Sequence, residues 1–231
     1  YFELRDKEGL SKKEASPVIG ERLDIARILR RASKNWDGGF AMAGMLGHGD
    51  AFVLRDPAGI RPAFYYEDEE IVVVASERPV IQTAFNVPFN EIKELDPGHA
   101  IIIKKDGQVS FEEILEPLER KACSFERIYF SRGNDASIYQ ERKMLGRTMM
   151  PMILKELNND VENAVFSYIP NTAEVSYFGM VEGAQEFLNQ QKTERILALK
   201  DQLTPEKLQE ILSKTIRSEK ITIKDAKLRT F

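Results

Sequence analysis

The chain has 231 residues, of which 42% are hydrophobic and 30% are charged, and it carries a net charge of −4. These values predict a folded core in one large domain or two small ones, and the interspersed charges predict no nucleic-acid-binding surface. One cysteine and two histidines exclude a disulfide framework and a His/Cys zinc cluster, and they fit a reducing, cytoplasmic setting. No apolar run approaches the roughly 20 residues that cross a bilayer and no signal-peptide pattern opens the chain, so no membrane partner is expected.

The first half of the chain changes from a helical to a strand-like pattern. Residues 1–19 are interpreted as loop or frayed helix, and apolar side chains at helical spacing predict a helix in residues 20–36 that ends at Gly38–Gly39. Five short β-type runs follow: FAMAGML (40–46), AFVLRD (51–56), AFYY (63–66), IVVVAS (71–76) and HAIIIKK (99–105). Turn residues separate these runs closely, which predicts an antiparallel sheet of hairpins and meanders.

The second half alternates between strand-like and helical patterns. Strands are predicted in FERIYF (125–130), AVFSYIP (164–170) and KITIK (220–224), and helices in residues 138–157, 174–190 and 204–213. Helical spacing predicts the core-facing side chains of the two longer helices: Leu145, Met149 and Ile153, then Val175, Phe178, Val181 and Leu188. This alternation predicts βαβ units around a parallel sheet. The change of pattern near residues 117–123 predicts two domain-like pieces, residues 1–122 and 123–231.

The segment RDPAGIRP, residues 55–62, connects two of the predicted strands and differs from an ordinary hairpin turn. Pro57 restricts φ at the turn, and Gly59 permits a positive φ. Arg55 and Asp56 are predicted to pair with each other or to cap nearby backbone groups. The physics of this segment alone therefore predicts a rigid turn.

Three segments together resemble the N-terminal-nucleophile (Ntn) glutamine amidotransferases. RDPAGIRP is similar to their R-D-x-x-G-I-R-P-L segment, VVVASE (72–77) to the A-S-E segment that follows it, and ELDPGHAIII (94–103) to their P-G-containing strand. The three occur in the order and spacing of that family. The match is therefore more specific than any one segment.

Later segments resemble one branch of that superfamily, the glutamine phosphoribosylpyrophosphate (PRPP) amidotransferases. ACSFERIYFSR (122–132) is similar to the junction that joins the glutaminase domain to a phosphoribosyltransferase domain. ERKMLGRTM (141–149) resembles a helix of that family, and FSYIPNTAEVSYFGM (166–180) lies where the family has a loop on the pyrophosphate side of its substrate. KLRTF (227–231) resembles its G-R-T-F segment.

This resemblance implies an α/β (α+β) fold with part of a glutaminase at residues 1–122 and part of a type I phosphoribosyltransferase at residues 123–231. The first part would contribute an Ntn-type antiparallel sheet and the second a parallel α/β sheet. The family transfers ammonia from glutamine to PRPP in the first step of purine synthesis, with Mg²⁺ on the diphosphate. The resemblance further implies glutamine and PRPP as substrates and a purine nucleotide as possible regulator. If both parts are truncated, exposed strand edges would favour self-association, so a homo-oligomer is expected.

No catalytic residue is assigned to this chain. In the family, the N-terminal cysteine nucleophile and its oxyanion hole lie before the matched region, and the acidic strand with its Thr-rich loop lies after it. The chain is therefore expected to be an internal fragment that is inactive by itself, and Cys123 is expected to be a buried structural thiol. The matched motif residues are expected to be mainly structural: Arg55, Asp56, Gly59, Arg61, Ser76 and Glu77.

Candidate phosphate-binding residues come from the loop before the second long helix and from the segment near the end of the chain. They are Pro170, Asn171, Thr172, Ala173, Lys227 and Arg229. The free backbone N–H groups at a helix N-terminus favour anions. The alternative reading of NTAE is a capping box, in which Asn171 or Thr172 caps the helix and Glu174 reaches back. No metal ligands are assigned within the chain.

Two further readings stay open at this point. The chain could be a non-catalytic paralogue that kept the scaffold as a binding or regulatory module. A relative of the glucosamine-phosphate or asparagine synthetases is disfavoured, because those enzymes do not join the glutaminase to a phosphoribosyltransferase.

Overall fold

The computed structural model describes residues 2–224, and the chain divides into two compact units, one ending at Glu126 and the next beginning at Arg127. The mixture of helices and sheets confirms the predicted α/β (α+β) class at this coarse level. The first unit contains α1 (Phe2–Glu8), α2 (Lys12–Arg22), α3 (Ile25–Ala32), β1 (Ala41–Met45), β2 (Ala51–Arg55), β3 (Phe64–Glu67), β4 (Val72–Ala75), α4 (Arg78–Phe85), β5 (Lys93–Glu94), β6 (His99–Ile103) and β7 (Val109–Glu113).

The strands of the first unit form two sheets, and every pair in them is antiparallel, as predicted. One sheet has the order β1-β2-β6-β7 and the other β4-β3-β5. All five predicted β-type runs are confirmed as strands, while β5 and β7 were not predicted. β7 has the sequence VSFEE, with two charged residues in five, and it forms because the turn at residues 104–108 returns the chain along β6.

The helices before β1 differ from their prediction. Residues 2–8 and 12–22 are helical, and the helix predicted in residues 20–36 is broken in two. The break occurs because the Asp24 carboxylate accepts the N–H of Arg27 and thereby caps a new helix, α3. The chain becomes non-helical after a further 3₁₀ turn, before the predicted stop at Gly38–Gly39.

Each face of the four-stranded sheet covers a separate cluster of apolar side chains. On one face, α3 packs against β2 and β6 with these buried side chains: Ile25, Ala26, Leu29, Leu54, Ala100 and Ile102. On the other, Ile101 and half-buried Val53 pack with side chains of the three-stranded sheet, including Val72 and Val74. The segment RDPAGIRP leaves the end of β2 and leads to β3, so it joins the two sheets.

The second unit is built around two long helices. It contains a π-helical turn (Glu126–Phe130, which begins in the first unit), α5 (Ala136–Glu156), β8 (Val165–Phe166), α6 (Glu174–Leu199), α7 (Pro205–Ser213) and β9 (Arg217–Ser218). A Cβ atom at Gly146 of α5 would overlap the carbonyl oxygen of Ser176, and one at Gly179 of α6 would overlap that of Lys143. The two helices therefore cross with their backbones in close approach at this pair of glycines.

This crossing corrects the predicted inner faces of both helices. In α5 the buried residues are Ile138, Arg142, Gly146 and Met150, one position away from the predicted row. Leu145 and Met149 are 40% and 49% exposed, and in α6 Phe178 is 41% exposed. Leu188, by contrast, is buried as predicted, and Ile153 and Val181 are half-buried against the same core. The glycine pair decides the rotation of the helices, because only that row permits the close approach.

Two predicted strands of the second unit are wrong and one is confirmed in part. FERIYF forms the π-helical turn, and KITIK has no strand in the structure. AVFSYIP contributes only the two residues of β8, which pair in parallel with β9. The short helix in residues 204–213 is confirmed, with the Thr204 hydroxyl accepting the N–H of Lys207 at its start.

Candidate functional site

The turn at residues 55–62 is organised around the carboxylate of Asp56, which is fully buried. Its Oδ1 accepts the N–H groups of Ala58 at 3.1 Å and Ile60 at 2.9 Å, and its Oδ2 accepts that of Arg61 at 2.9 Å. Gly59 lies inside this loop at φ 62°. One carboxylate therefore satisfies three backbone donors of a turn that makes few ladder hydrogen bonds of its own.

The guanidinium of Arg55 is buried on the other side of the same turn, and its side chain is 2% exposed. It donates to the carbonyl oxygens of Arg61 at 2.8 Å and Gly59 at 3.1 Å, and also to that of Leu95. Its fourth partner is the carboxylate of Glu94, at 2.8 Å. Arg55 and Asp56 thus bind backbone groups and do not pair with each other, which decides between the two predicted arrangements.

The charge of Arg55 is balanced by Glu94, which was not among the predicted site residues. Burial alone would raise the pKa of Glu94, but the charge of Arg55 and hydrogen bonds from Arg55 and Arg120 outweigh it and hold the pKa below its usual value. The sequence feature that could have indicated Glu94 is its position directly before the LDPG segment, whose Leu95 contacts Arg55. Among the residues that the structure describes, Arg61 differs from Arg55 because its side chain is 42% exposed and pairs with buried Glu126.

The remaining motif residues, Ser76 and Glu77, lie where β4 leads into α4. Ser76 is exposed, and Glu77 occupies the N-cap position of α4 without a side-chain capping hydrogen bond. The next residue, Arg78, stacks over the rings of Phe64 at 4.8 Å and Phe89 at 4.4 Å. The mainly structural role expected of Ser76 and Glu77 stays a prediction.

The loop before α6 contains the other predicted site residues. Asn171, Thr172 and Ala173 are exposed, whereas Pro170 is buried. The predicted capping box is wrong, because Ala173 occupies the N-cap position and no side chain caps the helix. The carboxylate of Glu174 instead accepts the hydroxyl of Tyr168 at 2.6 Å, and this hydrogen bond is the main reason why the pKa of Tyr168 is raised.

Arg142 of α5 is a basic residue of the second unit whose donors are used inside the fold. Arg142 is buried and donates to the carbonyl oxygens of Arg127 at 3.0 Å and Ser131 at 2.8 Å, so it holds the π-helical turn. Burial lowers the pKa of Arg142. Lys227 and Arg229 lie outside the described residues. The loop and the turn belong to different units, and each is a candidate by itself.

The comparisons with known proteins bear on both units. No protein-family model matches the chain. An amidophosphoribosyltransferase from Lachancea kluyveri is 32% identical over 162 residues, which are 65% of this chain and 31% of that protein. The chain is related to the amidophosphoribosyltransferases. Proteins of that name from Saccharomyces cerevisiae and Archaeoglobus fulgidus are 31% and 32% identical over 162 and 138 residues, 65% and 58% of this chain and 31% and 29% of those proteins.

Solved structures of this family share the fold. A glutamine PRPP amidotransferase from B. subtilis, complexed with ADP and GMP, superposes with a TM-score of 0.56 at 24% identity, covering 77% of this chain and 39% of that one. A structure described as the allosteric regulatory enzyme of purine biosynthesis gives 0.55 at 26% identity, covering 77% and 38%. The resemblance found in the sequence is thereby confirmed. The chain spans about a third of the length of its amidophosphoribosyltransferase relatives.

Two smaller expectations are also answered. Cys123 was expected to be a buried thiol, and it is only half-buried, close to the end of the first unit. None of the helices in residues 2–224 is long and apolar enough to pass through a bilayer.

Proposed function

We propose that this chain is part of an amidophosphoribosyltransferase that transfers glutamine-derived ammonia to PRPP in the first step of purine synthesis. The observation that carries the proposal is the 32% identity over 162 residues to the Lachancea kluyveri amidophosphoribosyltransferase. The fold shared with solved PRPP amidotransferases supports it. Residues 1–122 would contribute part of an Ntn glutaminase and residues 123–231 part of a type I phosphoribosyltransferase.

The residues of the first unit would contribute a scaffold to this reaction and no reacting group. Arg55 and Asp56 direct all of their described hydrogen bonds to backbone groups and to Glu94, which supports a structural role. Cys123 is half-buried, and no described hydrogen bond joins its thiol to a base. We therefore propose that the chain by itself does not release ammonia from glutamine.

The second unit would meet the phosphates of PRPP through the loop at residues 170–173. The first N–H groups of a helix point outward from its start, and those of α6 are not capped by a side chain. The carboxylate of Glu174 accepts the hydroxyl of Tyr168, so it does not extend back over the loop. Lys227 and Arg229 would add positive charge from a segment outside the described residues.

Mg²⁺ would accompany the diphosphate of PRPP. Among residues 2–224 no three His, Cys, Asp or Glu side chains are grouped to hold a metal ion. These residues therefore fit a cation that binds together with the diphosphate of PRPP better than one that the protein binds alone. The cation would neutralise part of the diphosphate charge at the loop.

The proposal includes a homo-oligomer, regulation by a purine nucleotide, and a cytoplasmic location. The complex of the B. subtilis relative with ADP and GMP supports the regulator. The outer edge of β1, with the uncharged sequence AMAGM, supports self-association because an unprotected strand edge pairs readily with another strand. Sedimentation equilibrium of the purified chain tests this part, and a monomer at high concentration would contradict it.

The activity is tested with the purified chain, PRPP and Mg²⁺. We expect calorimetry to detect PRPP binding, and we expect no glutamate or pyrophosphate to form when glutamine is added. Thr172→Glu places a negative charge in the loop and should abolish binding. Thr193→Glu places the same charge at an exposed threonine farther along α6 and should leave binding unchanged. Turnover would contradict the inactive state of the chain, and equal loss in both variants would contradict the loop site.

A second candidate is a non-catalytic scaffold or regulatory module that kept the fold. The observation that favours it is that both charged side chains at the centre of the 55–62 turn, Arg55 and Asp56, bind backbone groups. The same calorimetry separates the two, because a pure scaffold would bind no PRPP while the purine nucleotides ADP or GMP could still bind.

A further inference from the structure

A cleft in the first unit is lined by residues of neither the 55–62 turn nor the 170–173 loop. It has a volume of about 840 Å³ and is bounded by α2 on one side and by the turns at residues 47–50 and 104–106 on the other. Sites for small molecules commonly have volumes between roughly 300 and 1,000 Å³. The size of the cleft therefore suits a metabolite, and its walls indicate which kind.

The wall formed by α2 is one face of that helix. The lining residues are Lys13, Ser16, Pro17, Gly20 and Glu21. Pairs of them are three or four residues apart, so they project to the same side of the helix. This face carries small and charged side chains, most of them exposed, and Ala15 is the only fully buried residue of the helix.

The charges on this face are separated by sign. Lys13 lies in the first turn of α2 and Glu21 in its last turn, eight residues later. At 1.5 Å per residue their Cα atoms are about 12 Å apart along the helix. Both side chains are exposed, and within the described part of the chain neither has an ion-pair partner. The cleft thus offers one cationic end and one anionic end.

The charges on the opposite wall are already balanced. The buried carboxylate of Asp50 accepts the backbone N–H of Lys105 at 2.9 Å and pairs with the ammonium of Lys104. Lys104 also donates to the carbonyl oxygen of Gly20 at 3.3 Å, so it ties this wall to α2. Asp106 accepts the N–H of Gln108 at 3.1 Å, and the adjacent exposed residues Lys105 and Asp106 contribute one charge of each sign to this wall. The polarity of the cleft is therefore set by α2.

His48 adds a hydrogen-bonding group at the anionic end. Its ring lies against Gly20, where an added Cβ would be 3.1 Å from its Cδ2 atom. Its Nε2 atom is buried and lies 3.1 Å from Oδ2 of Asp50, and this contact helps to lower the pKa of Asp50. The ring therefore lies between Gly20 and Asp50, where a ligand in the cleft would change its surroundings.

We propose that this cleft binds an elongated zwitterionic small molecule, with its anionic group at Lys13 and its cationic group at Glu21. The separation of the two charges sets the length of the ligand, and the small residues between them leave room for its apolar middle. His48 borders the cationic end. The proposal is independent of amidophosphoribosyltransferase activity and concerns no residue of the 55–62 turn or the 170–173 loop.

The test uses 6-aminohexanoate as a probe, with hexanoate and hexylamine as versions that each carry one of the two charges. The chain has two histidines, so each imidazole gives its own NMR signal. We expect 6-aminohexanoate to shift the His48 signal to saturation and to leave His99, at the start of β6 and outside the cleft, unchanged. Hexanoate and hexylamine should bind about threefold to fivefold more weakly, since each loses one partly exposed charge contact.

Two substitutions distinguish the ends of the cleft. Lys13→Gln should weaken the binding of 6-aminohexanoate and hexanoate while leaving hexylamine unchanged, and Glu21→Gln should weaken 6-aminohexanoate and hexylamine only. Lys12→Gln is the matched control, because Lys12 is the neighbouring exposed lysine of α2 and does not line the cleft. All three positions are exposed, so the variants should fold.

Three results would overturn the proposal. The first is a His48 signal that none of the probes moves to saturation. The second is equal affinity for hexanoate and 6-aminohexanoate, which would mean a site for anions alone. The third is an equal effect of Lys12→Gln and Lys13→Gln, which would mean attraction to general surface charge.

Discussion

The turn at residues 55–62 and the loop at residues 169–174 use similar residues to opposite effect. Both combine prolines with polar side chains and both connect a strand to the next element. In the turn, Arg55 and Asp56 are buried and together make seven hydrogen bonds, six of them to backbone groups. In the loop, residues 171–173 are exposed, and the helix that follows has no side-chain cap.

The difference shows that the polar side chains of a motif can either stabilise the fold or remain available to bind a ligand. A buried charge must be paired or hydrogen-bonded, so the turn residues cannot be removed without leaving unsatisfied backbone groups. An exposed loop loses only contacts that water can replace. The two segments should therefore respond very differently to substitution. Variants of the buried turn should lose the most stability, and variants of the exposed loop the least.

Asp56→Ala should have the largest effect, because three buried N–H groups lose their acceptor. At roughly 1 kcal/mol for each lost hydrogen bond, the free energy of unfolding of the first unit should fall by about 3 kcal/mol. Urea denaturation followed by the fluorescence of Trp36, the single tryptophan, measures this unit. Asp56→Asn keeps one oxygen acceptor and should lose about half as much. A loss below about 1 kcal/mol in Asp56→Ala would contradict the role given to Asp56.

Arg55→Met should lower the same free energy by about 2 kcal/mol, because three carbonyl oxygens and Glu94 lose a buried donor while the side-chain volume is largely kept. Arg55→Lys is the control, since one ammonium cannot reproduce the planar fork of donors and should recover only part of the loss. Full recovery with lysine would show that charge, and not the fork, is what the turn requires.

Gly59→Ala tests the backbone of the turn apart from its charges. Gly59 has φ 62°, a conformation that costs an L-residue about 1 kcal/mol, and an added Cβ would be 3.0 Å from Pro97. We expect the urea midpoint to fall accordingly. Gly47→Ala is the matched control, because Gly47 lies in another turn of the same unit with open space around it and should change stability little. Equal losses in the two variants would remove the argument from φ.

The pairing of Glu94 with Arg55 predicts a pH dependence. The pKa of Glu94 is lower in the folded chain than its ordinary value of 4.5, so its stabilisation is present above pH 4.5 and is lost as pH falls through the folded pKa. Because Glu94 is partly exposed, the effect should stay below about 1 kcal/mol. The stability difference between the unaltered chain and Glu94→Gln should be largest near neutral pH and shrink in acid. A difference independent of pH would contradict the ionic contact.

Variants of the loop should have the smallest effects on stability. Glu174→Gln and Tyr168→Phe each disturb one partly exposed hydrogen bond and should change the free energy of unfolding by less than about 0.5 kcal/mol. Far-ultraviolet circular dichroism of thermal unfolding is dominated by the second unit, which contains the two longest helices, α5 and α6. A loss as large as that of Asp56→Ala would mean that the loop, like the turn, is built into the fold.

Much of the first unit could be predicted from its sequence. The five β-type runs became strands because β-branched and aromatic residues were separated by Gly, Pro and Asp at hairpin distances. The same local chemistry located the 204–213 helix through Thr204. β7 was missed because its sequence carries little apolar pattern of its own, and its pairing with β6 supplies the missing information.

The candidate site was only partly accessible to the same reasoning. The sequence indicated the positive φ of Gly59 and two possible arrangements for Arg55 and Asp56, and the resemblance to the amidotransferases selected residues 55–62 and 170–173 as the segments of interest. The capping box before α6 failed because Tyr168, six residues earlier, binds the carboxylate of Glu174. Local rules cannot include that competitor.

Local periodicity and residue order were enough to predict the change from an antiparallel to an α/β pattern, the main strands of the first unit, the long helices of the second, and the relationship to the amidophosphoribosyltransferases. The chain carries this information directly. Which face of α5 is buried and what Arg55 binds could be learned only from the packing of the folded chain. Those outcomes depend on Gly179, on Glu94 and on the carbonyl of Leu95, groups far away in sequence that folding brings within van der Waals or hydrogen-bonding distance.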